Sequence, residues 1–339
     1  MRPITLKDIA AKLNISVTTV SKALKGYSDV SPSTRKAVIK LAKEMNYEPN
    51  IVAVNLRTQQ TKTIGVIIPT IVHHFFSKVI NGIIKEAEKH GYLVITVQSN
   101  EKLESEEKQL YLLQQKRVDG ILISLSNETS KYNHIEAILR KKIPIVMFDK
   151  IGKLVECSKV VIDDQLAAYN AVSYLIEKGY KRIAHFRGAL NPQISIDRFL
   201  GYRRALVDNG IKFDSSLVYI CSGNNDFNDG YNNAKKLIQE QTNVDAIFAI
   251  TDVVAVGIIK YFKENNIKIP EDIAVFGFSD WFMASVVTPE LSSVKQPGYE
   301  MGRKATEILI SEIKNLKNNI PYSFQKVVLP TSLVIRKST

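Results

Sequence analysis

One face of a short predicted helix, residues 17–24, carries side chains that could bind the edges of nucleic-acid bases. The outward face is formed by Val17, Thr18, Ser21 and Lys22, opposite an apolar face of Val20, Ala23 and Leu24. A lysine ammonium can donate to guanine acceptors, a threonine hydroxyl can bond to base edges, and a valine can pack against a thymine methyl group. The spacing of these residues therefore indicates an element that contacts a DNA groove.

Positive charge is concentrated in the same part of the chain. Residues 1–62 contain eleven Lys and Arg against four Asp and Glu, a net charge of +7, whereas the whole chain of 339 residues has a net charge of +12. A compact basic segment on a nearly balanced body indicates a polyanionic partner for that segment. Charge alone is equally consistent with a solubilising surface.

Three short helices are predicted to position the outward face. Thr5 and Asp8 have the spacing of a capping box at the start of the first helix, and Ser16 is placed to cap the second. Ser31 and Pro32 form an N-cap and a first-turn proline that begin a third helix. Two helices joined by a tight turn and braced by a third predict an all-α helix-turn-helix unit, whose second helix enters the major groove.

The segment TLKDIAAKLNISVTTVSKALKGYSDVSPSTRKAVIKLAKEMNYEPN, residues 5–50, resembles the DNA-binding head of the LacI/GalR family of bacterial transcription regulators. The runs ISVTTVSKAL, VSPSTR and YEPN carry the resemblance, which continues in gapped form over the rest of the chain. It implies base readout by Val17, Thr18 and Lys22, although relatives usually have arginine or another polar residue at position 22. Side-chain hydroxyls and the amides at helix starts suit phosphate contacts, and the candidate hydroxyl residues are Thr5, Ser16, Thr19, Ser21, Ser31 and Thr34.

Residues 49–61 follow the head as a predicted hinge. Asn50 can cap a helix, but the β-branched residues that follow make so short a helix marginal in water. The resemblance implies that the hinge folds on operator DNA and pairs with its dimer mate, with contacts from Asn50, Ala53 and Leu56. Leu56 would be the apolar wedge between base pairs of the minor groove. Val54 stands where relatives often have arginine, and a plain linker with Leu56 docked on the body is the alternative.

The body, residues 62–339, alternates short apolar runs with amphipathic stretches. This alternation predicts parallel sheets covered by helices. The junctions EKHGYLVITV and EKGYKRIAHF, at residues 88–97 and 177–186, echo each other and favour two lobes of related construction. With the resemblance, the fold class is an all-α head, residues 1–48, plus an α/β two-lobed domain like the type I periplasmic binding proteins. The resemblance implies an N-lobe of residues 62–161 and 295–322 and a C-lobe of residues 162–294 and 323–339.

Ligands of open α/β sheets bind beyond the carboxyl ends of the strands, so two facing lobes form a cleft with a predictable lining. Positions beyond strand ends indicate Ser124, Asp149, Asp280 and Trp281 as effector-binding candidates, and the resemblance implies that Phe75, Phe76, Arg198, Phe227 and Asp252 line the effector pocket. Aromatic rings with aspartate and arginine suit a sugar, because rings cover C–H surfaces and charged groups pair with hydroxyls. Packing between the lobes is the alternative for each aromatic residue. Arg198 and Asp252 are harder to explain as core, because an unpaired buried charge is unfavourable.

Two departures from the family narrow the expected effector. Residues 191–194, Asn-Pro-Gln-Ile, replace the polar run of purine-binding relatives, which argues against a purine corepressor. His73 and His74 stand where relatives commonly have Asn-Pro before the paired aromatics. No cysteine or carboxylate joins the two histidines at metal-ligand spacing, so we expect polar residues at the cleft rim, no metal and no cofactor.

Composition excludes several classes of protein. With 45% hydrophobic and 24% charged residues the chain is typical of globular proteins. No apolar run approaches the roughly 20 residues of a membrane span, and residues 1–25 lack the pattern of a signal peptide. Cys157 and Cys221 fit no metal or redox spacing, which favours a reducing cytoplasm. We therefore expect a cytoplasmic protein without a membrane partner.

The leading interpretation is a homodimeric transcription regulator, a repressor rather than an activator. It would bind a pseudo-palindromic double-stranded DNA operator under the control of a small carbohydrate or sugar phosphate. The chain ends without a heptad-bearing tail, which favours a dimer over a tetramer. A stand-alone sugar-binding protein of the same fold is the alternative, although the basic head argues against it. An enzyme is not expected, since no Walker A, G-x-G-x-x-G or G-x-S-x-G motif is present.

Overall fold

A computed structural model describes residues 4–47, 60–71, 74–221, 226–240 and 243–339. The chain divides into two compact units, Met1–Gln60 and Thr61–Thr339. The predicted hinge residues Asn50, Ala53 and Leu56, and also His73, lie outside the described residues. Within the described ranges, no helix is long and apolar enough to cross a membrane.

The first unit contains three helices, α1 (Leu6–Leu13), α2 (Val17–Leu24) and α3 (Pro32–Glu44). The predicted caps are present. The Asp8 carboxylate accepts hydrogen bonds from the backbone N–H of Thr5 at 2.8 Å and from its hydroxyl at 2.7 Å. The Ser16 hydroxyl accepts from the N–H of Thr19 at 3.0 Å, and that of Ser31 accepts from the N–H of Thr34 at 3.2 Å. The buried core of this unit comprises Ile9, Ala10, Val20, Ala23, Val30, Val38 and Ala42.

The second unit begins with a six-stranded parallel sheet, the core of the first lobe. In spatial order its strands are β11 (Lys326–Leu329), β5 (Ser158–Ile162), β4 (Ile145–Phe148), β3 (Gly120–Ile123), β1 (Thr63–Ile68) and β2 (Leu93–Gln98). The helices of this lobe are α4 (His74–Lys89), α5 (Leu103–Gln115), α6 (Asn133–Arg140) and α11 (Gly298–Lys317). Strands β3 and β4 are buried throughout, as expected for a sheet covered on both faces.

The second lobe repeats this construction. In spatial order its strands are β12 (Ser332–Val334), β10 (Ser292–Lys295), β9 (Ala274–Ser279), β8 (Ala246–Ala249), β6 (Ile183–Arg187) and β7 (Val218–Ile220). All pairs are parallel except β12 with β10. The helices are α7 (Asp164–Glu177), α8 (Gln193–Asp208), α9 (Phe227–Gln239) and α10 (Asp252–Glu264), with 3₁₀ turns at Ser215–Leu217 and Phe282–Ser285. Each sheet orders its strands 2-1-3-4-5-6 along the chain, which confirms two lobes of related construction.

One predicted lobe assignment is wrong. The tail was expected to enter the second lobe near residue 323, but β11 lies in the first sheet, with Lys326 paired with Lys159 of β5. The chain reaches the second sheet only after Pro330, where β12 pairs with β10. Both sheets leave an open edge at this point, and the apolar pattern of the tail does not distinguish them. Pro330, which lacks an N–H, separates the two short strands.

The helices that carry cleft residues pack closely on neighbouring helices at glycine positions. A Cβ on Gly82 of α4 would lie 2.1 Å from the Tyr299 carbonyl oxygen of α11, and a Cβ on Gly302 would lie 2.0 Å from the Val79 carbonyl oxygen. In the second lobe, a Cβ on Gly257 of α10 would lie 2.1 Å from the Phe227 carbonyl oxygen of α9. These helix pairs can therefore approach so closely only with glycine at the contact.

Glu312 of α11 is a buried carboxyl group beneath β5. Its side chain accepts a hydrogen bond from the Ser158 hydroxyl through Oε1, whereas Oε2 has no hydrogen-bond partner among the described residues. Burial raises the pKa of Glu312 from 4.5 to about 7, although the bond from Ser158 opposes the shift. The folded chain therefore favours the protonated carboxyl.

We expect Glu312→Gln to remove part of the pH dependence of the free energy of unfolding. Well below pH 4.5 the carboxyl is protonated in both the folded and the unfolded chain. Ionisation of Glu312 therefore does not affect the free energy of unfolding there, and Glu312→Gln removes no pH-dependent loss. As pH rises, the unfolded carboxyl ionises first, and the folded chain loses up to about 3 kcal/mol by the time its own pKa is passed. Urea unfolding of both proteins at about pH 5 and pH 8 measures the difference. An equal stability difference at both pH values would contradict this account.

Candidate functional site

The structure places the predicted base-reading residues on one face of α2. Val17 is 40% exposed and Thr18 is exposed, while Ser21 and Lys22 are half-buried. The opposite face packs on the core of the head through Val20, Ala23 and Leu24. A substitution on the outer face can therefore change chemistry with little effect on packing.

Five of the six hydroxyl groups predicted to contact phosphates lie at helix starts, whereas Ser21 lies in the middle of α2. Ser16 is the N-cap of α2 and its hydroxyl lies 2.8 Å from that of Thr19. Ser31 is the N-cap of α3 and its hydroxyl donates to that of Thr34 at 2.8 Å. Thr5 caps α1 as part of the capping box. The hydroxyls of these five residues thus have structural roles, and they lie where helix N–H groups and the helix dipole favour an anion.

Asp29, in the loop between α2 and α3, forms an ion pair with Lys22 that the sequence did not predict. The hydrogen bond between them raises the pKa of Lys22 and lowers the pKa of Asp29. The two residues are seven positions apart, which is not a helical spacing. The only signal in the sequence is an isolated acid within a strongly basic segment. The ammonium predicted to bind a base therefore has an acidic partner inside the head.

We expect Asp29→Asn to strengthen binding to nonspecific DNA, because it frees the Lys22 ammonium and removes a negative charge near the phosphates. The slope of log K against log salt concentration should become steeper by about 0.9, the contribution of one further neutralised phosphate. Fluorescence anisotropy over a range of KCl concentrations measures this slope. Glu44→Gln, which removes an exposed acid from α3, is the charge-matched control. If Glu44→Gln steepened the slope by the same amount, the effect of Asp29→Asn would result from net charge and not from release of Lys22.

A cavity of about 500 Å³ lies between the two lobes, beyond the carboxyl ends of their strands. Seven of the nine predicted effector residues line it, namely Phe75, Phe76, Asp149, Arg198, Phe227, Asp252 and Trp281. Ser124 lies behind the wall, with its hydroxyl 3.4 Å from Oδ2 of Asp149. Asp280 turns away from the cavity and forms an ion pair with Arg336 at 2.7 Å. The structure therefore brings most of the predicted set together and leaves these two outside.

Arg198 of α8 is buried, and its Nε and Nη1 are bonded within the second lobe. Its Nε donates to the Asp164 carboxylate at 2.8 Å and its Nη1 donates to the Ile250 carbonyl oxygen at 2.7 Å. The guanidinium also lies 3.5 Å from the centre of the Phe278 ring. Asp164, the first residue of α7, is the partner that the sequence did not reveal. The guanidinium is thereby held in a fixed orientation at the cavity wall.

Asp252 is the first residue of α10 and fastens two other segments to it. Its Oδ1 accepts from the Ser293 hydroxyl at 2.6 Å, and its Oδ2 accepts from the N–H of Trp281 at 2.6 Å. The carboxylate fits only because residue 277 is glycine, since a Cβ there would lie 2.2 Å from Oδ1. Burial raises the pKa of Asp252 to about 6, against these two hydrogen bonds. Asp252 therefore positions Trp281 as well as facing the cavity.

The wall of the first lobe includes Lys150, which the position after a strand end predicts as part of the cleft lining, and Glu101, which was not predicted. Lys150 follows Asp149, and its ammonium donates to Glu101 at 2.6 Å and to Oδ1 of Asn127 at 2.7 Å. Glu101 and its neighbour Asn100 follow β2, both with positive φ values of 60° and 53°. The rule that polar residues after strand ends line the cleft applies to β2 as well and could have found them.

The aromatic residues divide between wall and core. Phe75 and Phe76 form an edge-to-face pair with ring centres 5.3 Å apart, and Phe76 is also part of the lobe core. Phe227 is 37% exposed at the cavity. The ring centre of His74, in the first lobe, lies 5.7 Å from that of Phe282 in the second. His74 therefore lies at the rim of the cavity. Burial lowers the pKa of His74, and no metal-binding group of three side chains occurs within the described ranges.

Comparison with known proteins agrees with this arrangement. Residues 5–50 match the family model described as bacterial regulatory proteins, lacI family. Residues 61–327 match that of the periplasmic binding proteins and sugar binding domain of LacI family. Catabolite control protein A of Priestia megaterium is 33% identical over 340 residues, an alignment that covers 99% of each of the two chains.

Two solved structures are similar over nearly the whole chain. The transcriptional regulator CelR in complex with cellobiose has a TM-score of 0.75 and 27% identity, with both chains fully covered. The Lac repressor dimer bound to operator and the anti-inducer ONPF has a TM-score of 0.87 and 24% identity over 99% of both chains, and this likeness concerns the fold. The relatives are transcription regulators rather than enzymes. The chain therefore belongs to the LacI family of DNA-binding bacterial transcription regulators.

Proposed function

We propose that the chain is a repressor that binds a pseudo-palindromic operator as a homodimer, under the control of a small carbohydrate or sugar phosphate. The observation that carries the proposal is the cavity between the lobes, where aromatic rings, Arg198 and Asp252 converge. Rings cover the C–H faces of a sugar, and fixed charged groups bind its hydroxyls. The complex of CelR with cellobiose supports this class of ligand.

The head, residues 1–48, would bind DNA through the outer face of α2 and the helix starts. The hinge, residues 49–61, would add contacts from Asn50, Ala53 and Leu56 when it folds on the operator. Two heads related by a two-fold axis require an operator with two-fold symmetry.

Control requires that the effector bind two arrangements of the lobes with different affinity. Residues from both lobes line the cavity, for example Phe75 from the first and Phe227 from the second. A ligand that touches both walls therefore changes its contacts whenever the lobes move. Coupling of about 1–3 kcal/mol would change operator affinity about 5- to 150-fold.

The test measures operator affinity of the full chain with and without sugars. An operator is first selected from random DNA, and a panel of mono- and disaccharides, cellobiose included, is then added. We expect at least one sugar to change the affinity by the factor given above. Phe227→Ala should keep operator affinity and lose the response, whereas Tyr111→Ala, an exposed aromatic of α5 away from the cavity, should keep both. A response to a nucleobase or amino acid alone would reject the sugar class.

A further inference from the structure

Acidic side chains outnumber basic ones in the wall of the cavity between the lobes. The described part of the wall contains the carboxyl groups of Glu101, Asp149, Asp226 and Asp252, and the cationic groups of Lys150 and Arg198. Burial and the nearby Lys78 lower the pKa of His74, which favours its neutral form. The wall therefore has twice as many carboxyl groups as cationic side chains, although burial raises the pKa of Asp149 and of Asp252.

Both cations of the wall are already neutralised by protein carboxylates. Lys150 forms a buried ion pair with Glu101 at 2.6 Å, and its ammonium also donates to Asn127. Arg198 forms a buried ion pair with Asp164 at 2.8 Å. A phosphate would have to compete with these carboxylates at fixed, hydrogen-bonded positions. A negatively charged ligand would therefore have to share either cation with a protein carboxylate.

The other polar groups of the wall suit hydroxyl groups. Asp149 and Asp252 form no ion pair with any residue in the described ranges, and only a 3.4 Å contact from Ser124 reaches the Asp149 carboxylate. Asp149 can therefore accept hydrogen bonds from a ligand. The Gln296 amide is 5% exposed at the wall, and its Nε2 has no hydrogen-bond partner among the described residues. A buried amide donor without a partner is unfavourable until a ligand oxygen accepts from it.

We propose that the effector is a sugar without a negative charge, and that the cavity excludes phosphorylated sugars. Hydroxyl groups of the sugar donate to Asp149, and a sugar oxygen accepts from Nε2 of Gln296. The excess of carboxylates accommodates the ammonium of an amino sugar as readily as a neutral sugar. This inference rests on the proposed function, in which a sugar is the effector, and it narrows the class of that sugar.

The test compares matched ligands on the full chain by calorimetry. Each set consists of a parent sugar, its amine and its phosphate, for example glucose, glucosamine and glucose 6-phosphate, with further sets on galactose and ribose. In every set that binds, we expect the phosphate to bind at least tenfold more weakly than the parent. Inorganic phosphate should give no saturable signal. Saturable phosphate binding that Lys150→Met abolishes, or a phosphate that binds more tightly than its parent, would overturn the proposal.

A charge variant tests the cause of the exclusion. Asp149→Asn should weaken binding of the parent sugar and raise the affinity of the phosphate relative to it. Asp163→Asn is the matched control, because Asp163 is an exposed acid that caps α7 outside the cavity wall. An unchanged ratio in Asp149→Asn would show that the carboxylates do not set the preference. A phosphorylated effector would reject this inference and leave the sugar-controlled regulator intact, whereas an effector that is not a sugar would reject both.

Discussion

Replacing Arg198 with leucine is expected to destabilise the second unit by about 3–5 kcal/mol and to abolish the response to effector. The guanidinium is 2% exposed and is the partner of the Asp164 carboxylate at 2.8 Å. Its removal leaves that carboxylate buried without a cation and leaves the Ile250 carbonyl oxygen without its donor. The same change removes a fixed cationic donor from the cavity wall.

A second variant separates the two effects. Arg198→Leu with Asp164→Leu removes both charges, and replacing a buried ion pair with apolar residues is often neutral for stability. We expect the double variant to recover most of the lost stability but not the effector response. Arg204→Leu, at an exposed position of the same helix, controls for loss of a positive charge and should alter neither. Chemical unfolding and calorimetry report the two quantities separately. A single variant as stable and responsive as the parent would contradict both roles.

Features set by neighbouring residues could be predicted from the sequence. The caps at Thr5, Ser16 and Ser31 depend on residues three positions away, and all three are present. The outer face of α2 follows from helical periodicity alone. The parallel sheets followed from the alternation of apolar runs with amphipathic stretches, because strands covered on both faces, such as β3 and β4, lack polar side chains. Local rules suffice wherever the partners are close in the chain.

Charge pairing depends on residues that are distant in the chain, and the sequence did not predict the partners of Arg198 and Lys150. Arg198 was recognised as difficult to bury alone, yet its partner Asp164 lies 34 positions earlier and no pattern connects the two. Lys150 and Glu101 are 49 positions apart and meet only because β2 and β4 end at the same edge of one sheet. Such pairs follow from topology, which periodicity does not specify.

The two predicted cleft residues that lie outside the wall show a further limit. Position after a strand end placed Ser124 and Asp280 in the cleft, but position does not fix the direction of a side chain. Asp280 has a positive φ of 51°, and its carboxylate is paired with Arg336 near the chain end. Ser124 is fully buried behind Asp149. Backbone conformation and a distant partner therefore direct these side chains away from the cavity, although both residues follow strand ends.

Replacing Val17, Thr18 and Lys22 together with alanine is expected to remove operator recognition. Each good base contact contributes about 1–3 kcal/mol of discrimination, so loss of the three should lower specific affinity by two or more orders of magnitude. The fold of the head should persist, because these side chains lie outside its core and alanine favours helix. Circular dichroism checks the fold, and anisotropy with the selected operator measures affinity.

Nonspecific DNA distinguishes base readout from general attraction. The triple variant loses one positive charge, but Lys22 is paired with Asp29, so nonspecific binding should weaken only modestly and the salt slope should change by less than the value of about 0.9 that a full phosphate contact contributes. Lys40→Ala, at an exposed position of α3, removes one charge without touching α2 and should reproduce only that modest loss. Because base contacts exist only with the correct sequence, the ratio of operator to nonspecific affinity should fall for the triple variant and stay constant for the control. Equal losses on both DNAs in the triple variant would mean that the outer face of α2 contacts the backbone and that the bases are read elsewhere.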